Sequence, residues 1–302
     1  MQKIKAYVGV DLGGTNTLIA LYAENDILVE KVSFSTNLKA DGSYIIPEIV
    51  TAINVLGSKY PQYTIVKTII AIPGVVDAAG YTKECVNLGW KNKNIKQEFK
   101  ELSNISVDIL NDANAAALGE NFKGASANTH HALMVTLGTG VGSGIVVNGQ
   151  VLTGHLFQAG ELGHIQFEEQ EKVRCACGQY NCLETYVSSS GILKRNPQYP
   201  HVKSLFDHAK KGDREAISII ETQFHKLSLA LLNYTIMFSP EVIVIGGGIA
   251  NAGEMLIEMI VKGMQKTKPD YLVLPQVKLA KLKDEAGLWG CIYYAMQQEG
   301  NK

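Results

Sequence analysis

Residues 8–15 read VGVDLGGT, and residues 133–140 read LMVTLGTG. Each is an apolar run that breaks into a glycine turn, and when the two are laid together Asp11 falls on Thr136 and Gly13 on Gly138. Behind the first come TLIALY (17–22) and ILVEKVSF (27–34). Behind the second, the chain up to Leu152 alternates strand and turn in the same manner. Short β-branched runs bounded by Gly, Asn and Asp read as strands with tight connections. Met twice in one chain, the pattern points to an internal duplication: two α/β lobes, each opening on a hairpin around a glycine turn.

The remaining elements fit that plan. Apolar residues at helical spacing (Ile45, Ile49, Ala52, Ile53, Leu56) predict a helix over 42–59, and TIIAIPG (68–74) is a strand stopped by Pro73. VDILND (107–112) reads as a strand and ANAAALGENF (113–122) as a helix. A long, largely buried helix is expected over 214–238, with core positions Ile220, Leu227 and Leu231. VIVIGGGIA (242–250) is a strand entering a glycine turn, and 285–300 is a helix with one apolar face. We expect a smaller first lobe over 1–112, completed by the C-terminal helix at 285–302, and a larger second lobe over 113–284.

Composition narrows the function classes. With 28 Lys plus Arg against 29 Asp plus Glu, the net charge is −1, so no broad field draws the chain to nucleic acid or to an anionic membrane. No apolar run reaches the roughly 18 residues of a membrane span. The opening MQKIKAYVGVDLGG runs straight into a strand, unlike a signal peptide. We therefore expect a cytoplasmic protein with reduced thiols.

Three glycine turns follow apolar strands: DLGGTN (11–16), LGTGVGSG (137–144) and IGGG (245–248). Glycine lets backbone approach a ligand and leaves N–H groups to face anions. The candidates for nucleotide phosphate are Gly13, Gly14, Thr15 and Asn16, then Gly138, Thr139 and Gly140, then Gly246, Gly247 and Gly248. None carries the Lys of a P-loop. LGTGVGSG has Ser143 where a third glycine would complete a dinucleotide fingerprint, and it leads into a strand rather than a helix. Asp11 is either a turn-former or a carboxylate placed for Mg²⁺. Asp112 is either the N-cap of the next helix or a general base toward a hydroxyl, and its residue type alone favours the cap.

The window GHIQFEEQEKVRCACGQYNCLE (163–184) holds His164 and three of the five cysteines, Cys175, Cys177 and Cys182. In a reducing compartment, clustered cysteines more often bind metal than form disulfides.

Taken together, these residues resemble the ROK sugar kinases and repressors of the actin-like/hexokinase ATPase superfamily. The resemblance rests on DLGGTN, NLGW (87–90), LNDANAAALGE (110–120), LGTGVGSGIVVNG (137–149), AGELGH (159–164) and CACGQYNCLE (175–184). Gly163–His164 is followed, after ten residues, by a C-x-C-G-x-x-G-C-x-E pattern in which Asn181 replaces the usual second Gly. Asn tolerates a left-handed backbone, so the turn should survive.

The resemblance implies a two-lobed actin-like (ribonuclease H-like) fold of duplicated βββαβα lobes with a central cleft. It implies a structural Zn²⁺ on His164, Cys175, Cys177 and Cys182, a closed Cys₃His set. It implies sugar contacts at Asn87, Asn111, Asp112, Glu161, His164 and Glu184, with Asp112 as the base. It implies ATP and Mg²⁺ at the glycine turns and Asp11, and a hexose, glucose first, as the phosphoryl acceptor. N-acetylmannosamine, N-acetylglucosamine and a non-catalytic sugar sensor are the alternatives. A homodimer follows from the family. DNA binding does not, because only ten residues precede Asp11.

Overall fold

The computed structural model describes residues 3–300. The chain forms two compact units, the first comprising residues 1–123, 153–159 and 284–302 and the second residues 124–152 and 160–283.

The first unit is built on a mixed five-stranded sheet. Its strands are β1 (Ile4–Leu12), β2 (Asn16–Ala23), β3 (Ile27–Ser35), β4 (Tyr63–Ile72) and, after a small hairpin of β5 (Tyr81–Cys85) and β6 (Trp90–Asn94), β7 (Ser106–Asn111). The order is β3-β2-β1-β4-β7, with β1–β2 and β2–β3 antiparallel and β1–β4 and β4–β7 parallel. The helix Ile45–Lys59 buries Ile45, Ile46, Ile49, Val50, Ile53 and Leu56, all one face at helical spacing, in a core with Val8, Val10, Ile70 and Ile72. The helix Ile95–Leu102 starts where Asn94 Oδ1 accepts from Gln97 N at 2.9 Å. This helix and the β5–β6 hairpin were not anticipated from the sequence.

The second unit repeats the plan with β8 (His131–Leu137), β9 (Val141–Val147), β10 (Gln150–Val151), β11 (Val242–Gly246) and β12 (Gln276–Leu279), ordered β10-β9-β8-β11-β12. Again the first three strands pair antiparallel and the last two join in parallel. The helix Arg214–Phe238 is capped by Asp213 and buries Ile220, Leu227 and Leu231 as expected. With the helix Glu254–Thr267, each unit runs βββαβ, then a helix and a final strand. The duplication extends to register. Asp11 pairs with Leu18 one step before the closing pair Leu12–Thr17, and Thr136 pairs with Gly142 one step before Leu137–Val141.

The lobe boundary differs from the expected 112/113. The helix Asp112–Lys123 belongs to the first unit because it packs against the C-terminal helix Ala286–Gly300 at backbone contact. A methyl on Gly290 would lie 1.7 Å from the Ala115 carbonyl, and one on Gly119 would lie 2.0 Å from that of Ala286. Only glycine lets two helices approach so closely. Asp112 is also the first residue of that helix, not the last of β7.

Candidate active site and metal centre

In the first unit, the end of β7 presents Asn111 and Asp112. The cap falls on Asn111, whose Oδ1 accepts from Asn114 N at 3.0 Å, three residues on. Its Nδ2 donates to the Gly74 carbonyl at 3.4 Å, which ties β7 to the end of β4. The cap reading of Asp112 is thereby corrected: the N-cap bond goes to Asn111, and Asp112 Oδ1 accepts from the adjacent Ala113 N–H at 2.8 Å. Half-buried Asp112 thus stands at a helix N-terminus, where the macrodipole favours a carboxylate. Beside it lies Cys85, whose thiol burial pushes up to about 12, with the Asp112 charge adding to the effect. The fully buried Cys85 donates to Pro73 O at 3.3 Å, so it lines this corner as an inert thiol.

The first glycine turn is held from one side. Gly13 N donates to Asn16 O, Thr36 N to Thr15 O and Thr36 Oγ1 to Gly13 O, at 3.0, 2.8 and 2.7 Å. A Cβ on Gly14 would lie 2.9 Å from the Asn87 carbonyl, so the turn and the Asn87 loop are in contact. Asp11, just before the turn, packs against Gly287 in the first turn of the C-terminal helix. Burial, with Asp284 adding repulsion, pushes its carboxyl up to about 6.

In the second unit, the turn Gly138–Gly140 is held by the segment that follows the cysteine cluster. Ser189 N donates to Gly138 O at 2.8 Å, Ser190 Oγ to Thr139 O at 2.7 Å, and Val141 N to Glu184 Oε2 at 2.9 Å. The third glycine turn packs alongside. Gly246 pairs with Thr136, and a Cβ on Gly247, at φ +81°, would lie 2.4 Å from the Leu137 carbonyl.

His164, Cys175, Cys177 and Cys182 converge, with all four donor atoms within 4.8 Å of one another. Cys177 Sγ and Cys182 Sγ are 3.6 Å apart, and Cys175 Sγ is 3.9 Å from His164 Nδ1. Thiolates at about 2.3 Å from a tetrahedral zinc stand about 3.8 Å apart, so the donor set fits Zn²⁺. Burial pushes the Cys175 and Cys182 thiols upward, and a divalent cation is what would take their protons off. Asn181 sits at φ +55° as expected of a glycine replacement, and it also works as a brace. Its Oδ1 accepts from Val173 N at 2.8 Å and its Nδ2 donates to Glu171 O at 3.0 Å. With Nδ1 turned to the cysteines, His164 Nε2 lies 3.9 Å from Glu161 Oε2. Burial raises the Glu161 carboxyl, opposed by His164 and reinforced by Glu184. Glu184 Oε1 stands 3.6 Å from Cys175 Sγ, so one carboxylate touches both the cysteine cluster and the Gly138–Gly140 turn.

The model of the ROK family matches residues 7–298. The chain belongs to the ROK family. It is 33% identical to a glucokinase of Halalkalibacterium halodurans, over 98% of this chain and 96% of that one. It is 32% identical to a glucokinase of Thermotoga maritima, over 96% of each chain. Among solved structures, a ROK hexokinase from Thermus thermophilus matches with a TM-score of 0.88 at 27% identity, covering 98% of this chain and all of that one.

Within this ROK chain, three features had no place in the sequence reading. Ser189 and Ser190, Thr36, and Gly287 shape the glycine turns and the setting of Asp11. The run SSSG (188–191), where Ser188 Oγ caps the next helix, was the one signal available for the serines.

Proposed function

We infer that this chain transfers the γ-phosphoryl group of ATP to the primary hydroxyl of a hexose, glucose first among the candidates. The observation that supports this most directly is the setting of Asp112. It is a carboxylate at a helix N-terminus whose cap duty is discharged by its neighbour, in a ROK chain that spans whole glucokinase relatives. Asp112 accepts the proton of the attacking hydroxyl. Within the first unit, Asn87 and Asn111 are proposed as contacts to sugar hydroxyls; within the second, Glu161, His164 and Glu184 are proposed in the same role. His164 Nε2, whose partner nitrogen faces the cysteines, is left to act as a donor. The turns at Gly13–Asn16 and Gly138–Gly140 direct their carbonyls into protein hydrogen bonds, which favours amide contacts with phosphate. Gly246–Gly248 receives the adenosine.

Mg²⁺ held near Asp11 would neutralise charge on the transferring group. Zn²⁺ on His164, Cys175, Cys177 and Cys182 would order the loop that carries Glu184. The protein's own contribution is positioning and electrostatics. No helix among the described residues is long and apolar enough to cross a membrane. We further propose a cytoplasmic homodimer without nucleic-acid binding, the dimer being checked by sedimentation.

The test is ADP release by zinc-loaded protein with MgATP against glucose, N-acetylglucosamine, N-acetylmannosamine, mannose and fructose. Turnover preferring glucose is expected. Preference for an N-acyl sugar would move the substrate. No turnover with any sugar that the folded protein binds would replace the kinase with a sugar sensor.

A further inference from the structure

The loop that carries Asn87 is closed by the strand pair Cys85–Trp90 of the β5–β6 hairpin. Val86 and Asn87 are exposed at its tip, while Cys85, Leu88 and Trp90 are buried. The Asn87 side chain is thus presented to solvent between buried anchors. Its carbonyl oxygen would lie 2.9 Å from a Cβ on Gly14.

Against this loop lies a stretch of backbone that L-residues avoid. Ala40 (φ +49°, ψ +50°), Asp41 (φ +54°, ψ +35°) and Gly42 (φ +70°) are left-handed in succession. Left-handed residues ordinarily occur singly, because each sets its Cβ against the following carbonyl. Ala40 has no polar side chain to offset that cost. Such a conformation persists only where the surrounding contacts over-determine it. Here the contact comes from Trp90, whose Nε1 donates to the Gly42 carbonyl at 3.0 Å in a buried setting. Gly42 is seated without room for a side chain: a Cβ there would lie 2.4 Å from the Leu88 carbonyl and 2.7 Å from Trp90 Nε1. Asp41 adjoins Gly89. Leu38, Lys39, Ala40 and Asp41 are all exposed, so the seat at Gly42 is where the core grips the turn.

We propose that Trp90 is a positioning residue for sugar binding: its indole N–H seats the left-handed turn Ala40–Gly42 on Leu88 and Gly89, and the seated turn fixes the direction of Asn87. The proposal rests on the assignment of Asn87 to a sugar hydroxyl and deepens it. A binding group must be held within about 0.5 Å of its productive position, and an exposed side chain on a loop depends on its backbone for that.

The test is steady-state kinetics of the zinc-loaded full chain with MgATP and glucose, alongside melting temperatures. Trp90→Phe keeps a large ring and removes the donor. The KM for glucose should rise about tenfold, the scale of one lost buried hydrogen bond, with kcat within about twofold. Ala40→Val and Ala40→Gly probe the same clamp from an exposed position. Valine is excluded from a left-handed backbone and should raise the KM for glucose several-fold. Glycine is at home there and should leave the KM unchanged. Trp90→Phe and Ala40→Val are then repeated in an Asn87→Ala background, whose own KM is raised. Residues that act through Asn87 should have no further effect on the KM there, whereas a general loosening of the fold would add to it. An unchanged KM in Ala40→Val or in folded Trp90→Phe, or additive effects in the Asn87→Ala background, overturns the proposal. Should Trp90→Phe fail to fold, the contrast between Ala40→Val and Ala40→Gly, with and without Asn87, decides it. Asn87→Ala with a normal KM would show instead that the assignment of Asn87 has failed, and the proposal would fall with it.

Discussion

The turn after β1 and the turn after β8 hold the same position in two sheets of the same order, yet they are secured by different means. The first is tied by Thr36 just past β3 and leans on the Asn87 loop, and a partly buried carboxylate, Asp11, precedes it. The second has Thr136 in the place of that acid and is tied by Glu184, Ser189 and Ser190, just beyond Cys182. A duplicated backbone can therefore divide its chemistry. In one copy an acid, Asp11, precedes the turn, and in the other the segment beyond the cysteine cluster holds it. The geometry of the first turn is built into local strand pairing, whereas the second is tied to residues that follow the cysteine cluster in sequence.

The strongest test of that division is the acid side. Asp112→Asn keeps an oxygen for Ala113 N, so the fold should hold while kcat falls by about a thousandfold or more and sugar affinity stays. Near-normal turnover in a stopped assay would remove Asp112 from its role and leave the first unit without a base.

Next comes the metal side. Cys177→Ser should lose the metal, measured by zinc content. If the second turn hangs on that cluster, the KM values for sugar and ATP should rise together, each by about ten- to a hundredfold. A zinc-free variant with normal KM for ATP would show that Ser189, Ser190 and Glu184 hold the turn unaided.

Asp11→Asn sharpens the contrast within the apo protein. The folded carboxyl is raised to about 6 from 3.8, so its ionised form opposes folding. The penalty is absent below the unfolded value, grows between the two and is constant above about pH 6. Removing it should stabilise the chain by about 2 kcal/mol at pH 7–8, and by nothing near pH 3, while weakening MgATP binding. Equal thermal shifts at both pH values would contradict the burial account.

The smallest effect separates space from function. A Cβ on Gly138 meets nothing within 4 Å, whereas one on Gly14 meets the Asn87 carbonyl. Gly138→Ala should leave the melting temperature within about a degree but raise the KM for ATP several-fold if phosphate lies against the turn. Gly14→Ala should disturb both. An unchanged KM in Gly138→Ala would place the phosphates elsewhere.

Much of this was legible in one dimension because it repeats or clusters locally. The strands around both glycine turns, the long helix with Ile220, Leu227 and Leu231, and the His164–Cys182 window depend on short-range periodicity and spacing. The left-handed backbone at Asn181 could likewise be read from residue type. Other features were decided only by packing in three dimensions. The cap passed from Asp112 to Asn111 because the helix begins one residue earlier than its formers suggest. The helix Asp112–Lys123 joined the first unit through glycines on two helices far apart in sequence. Ser190 reached Thr139 across 51 residues. Periodicity and residue type record what a residue does to its neighbours along the chain. Contacts between distant segments leave no such record, because any of many residue pairs could have closed them, and only the packed core selects which do.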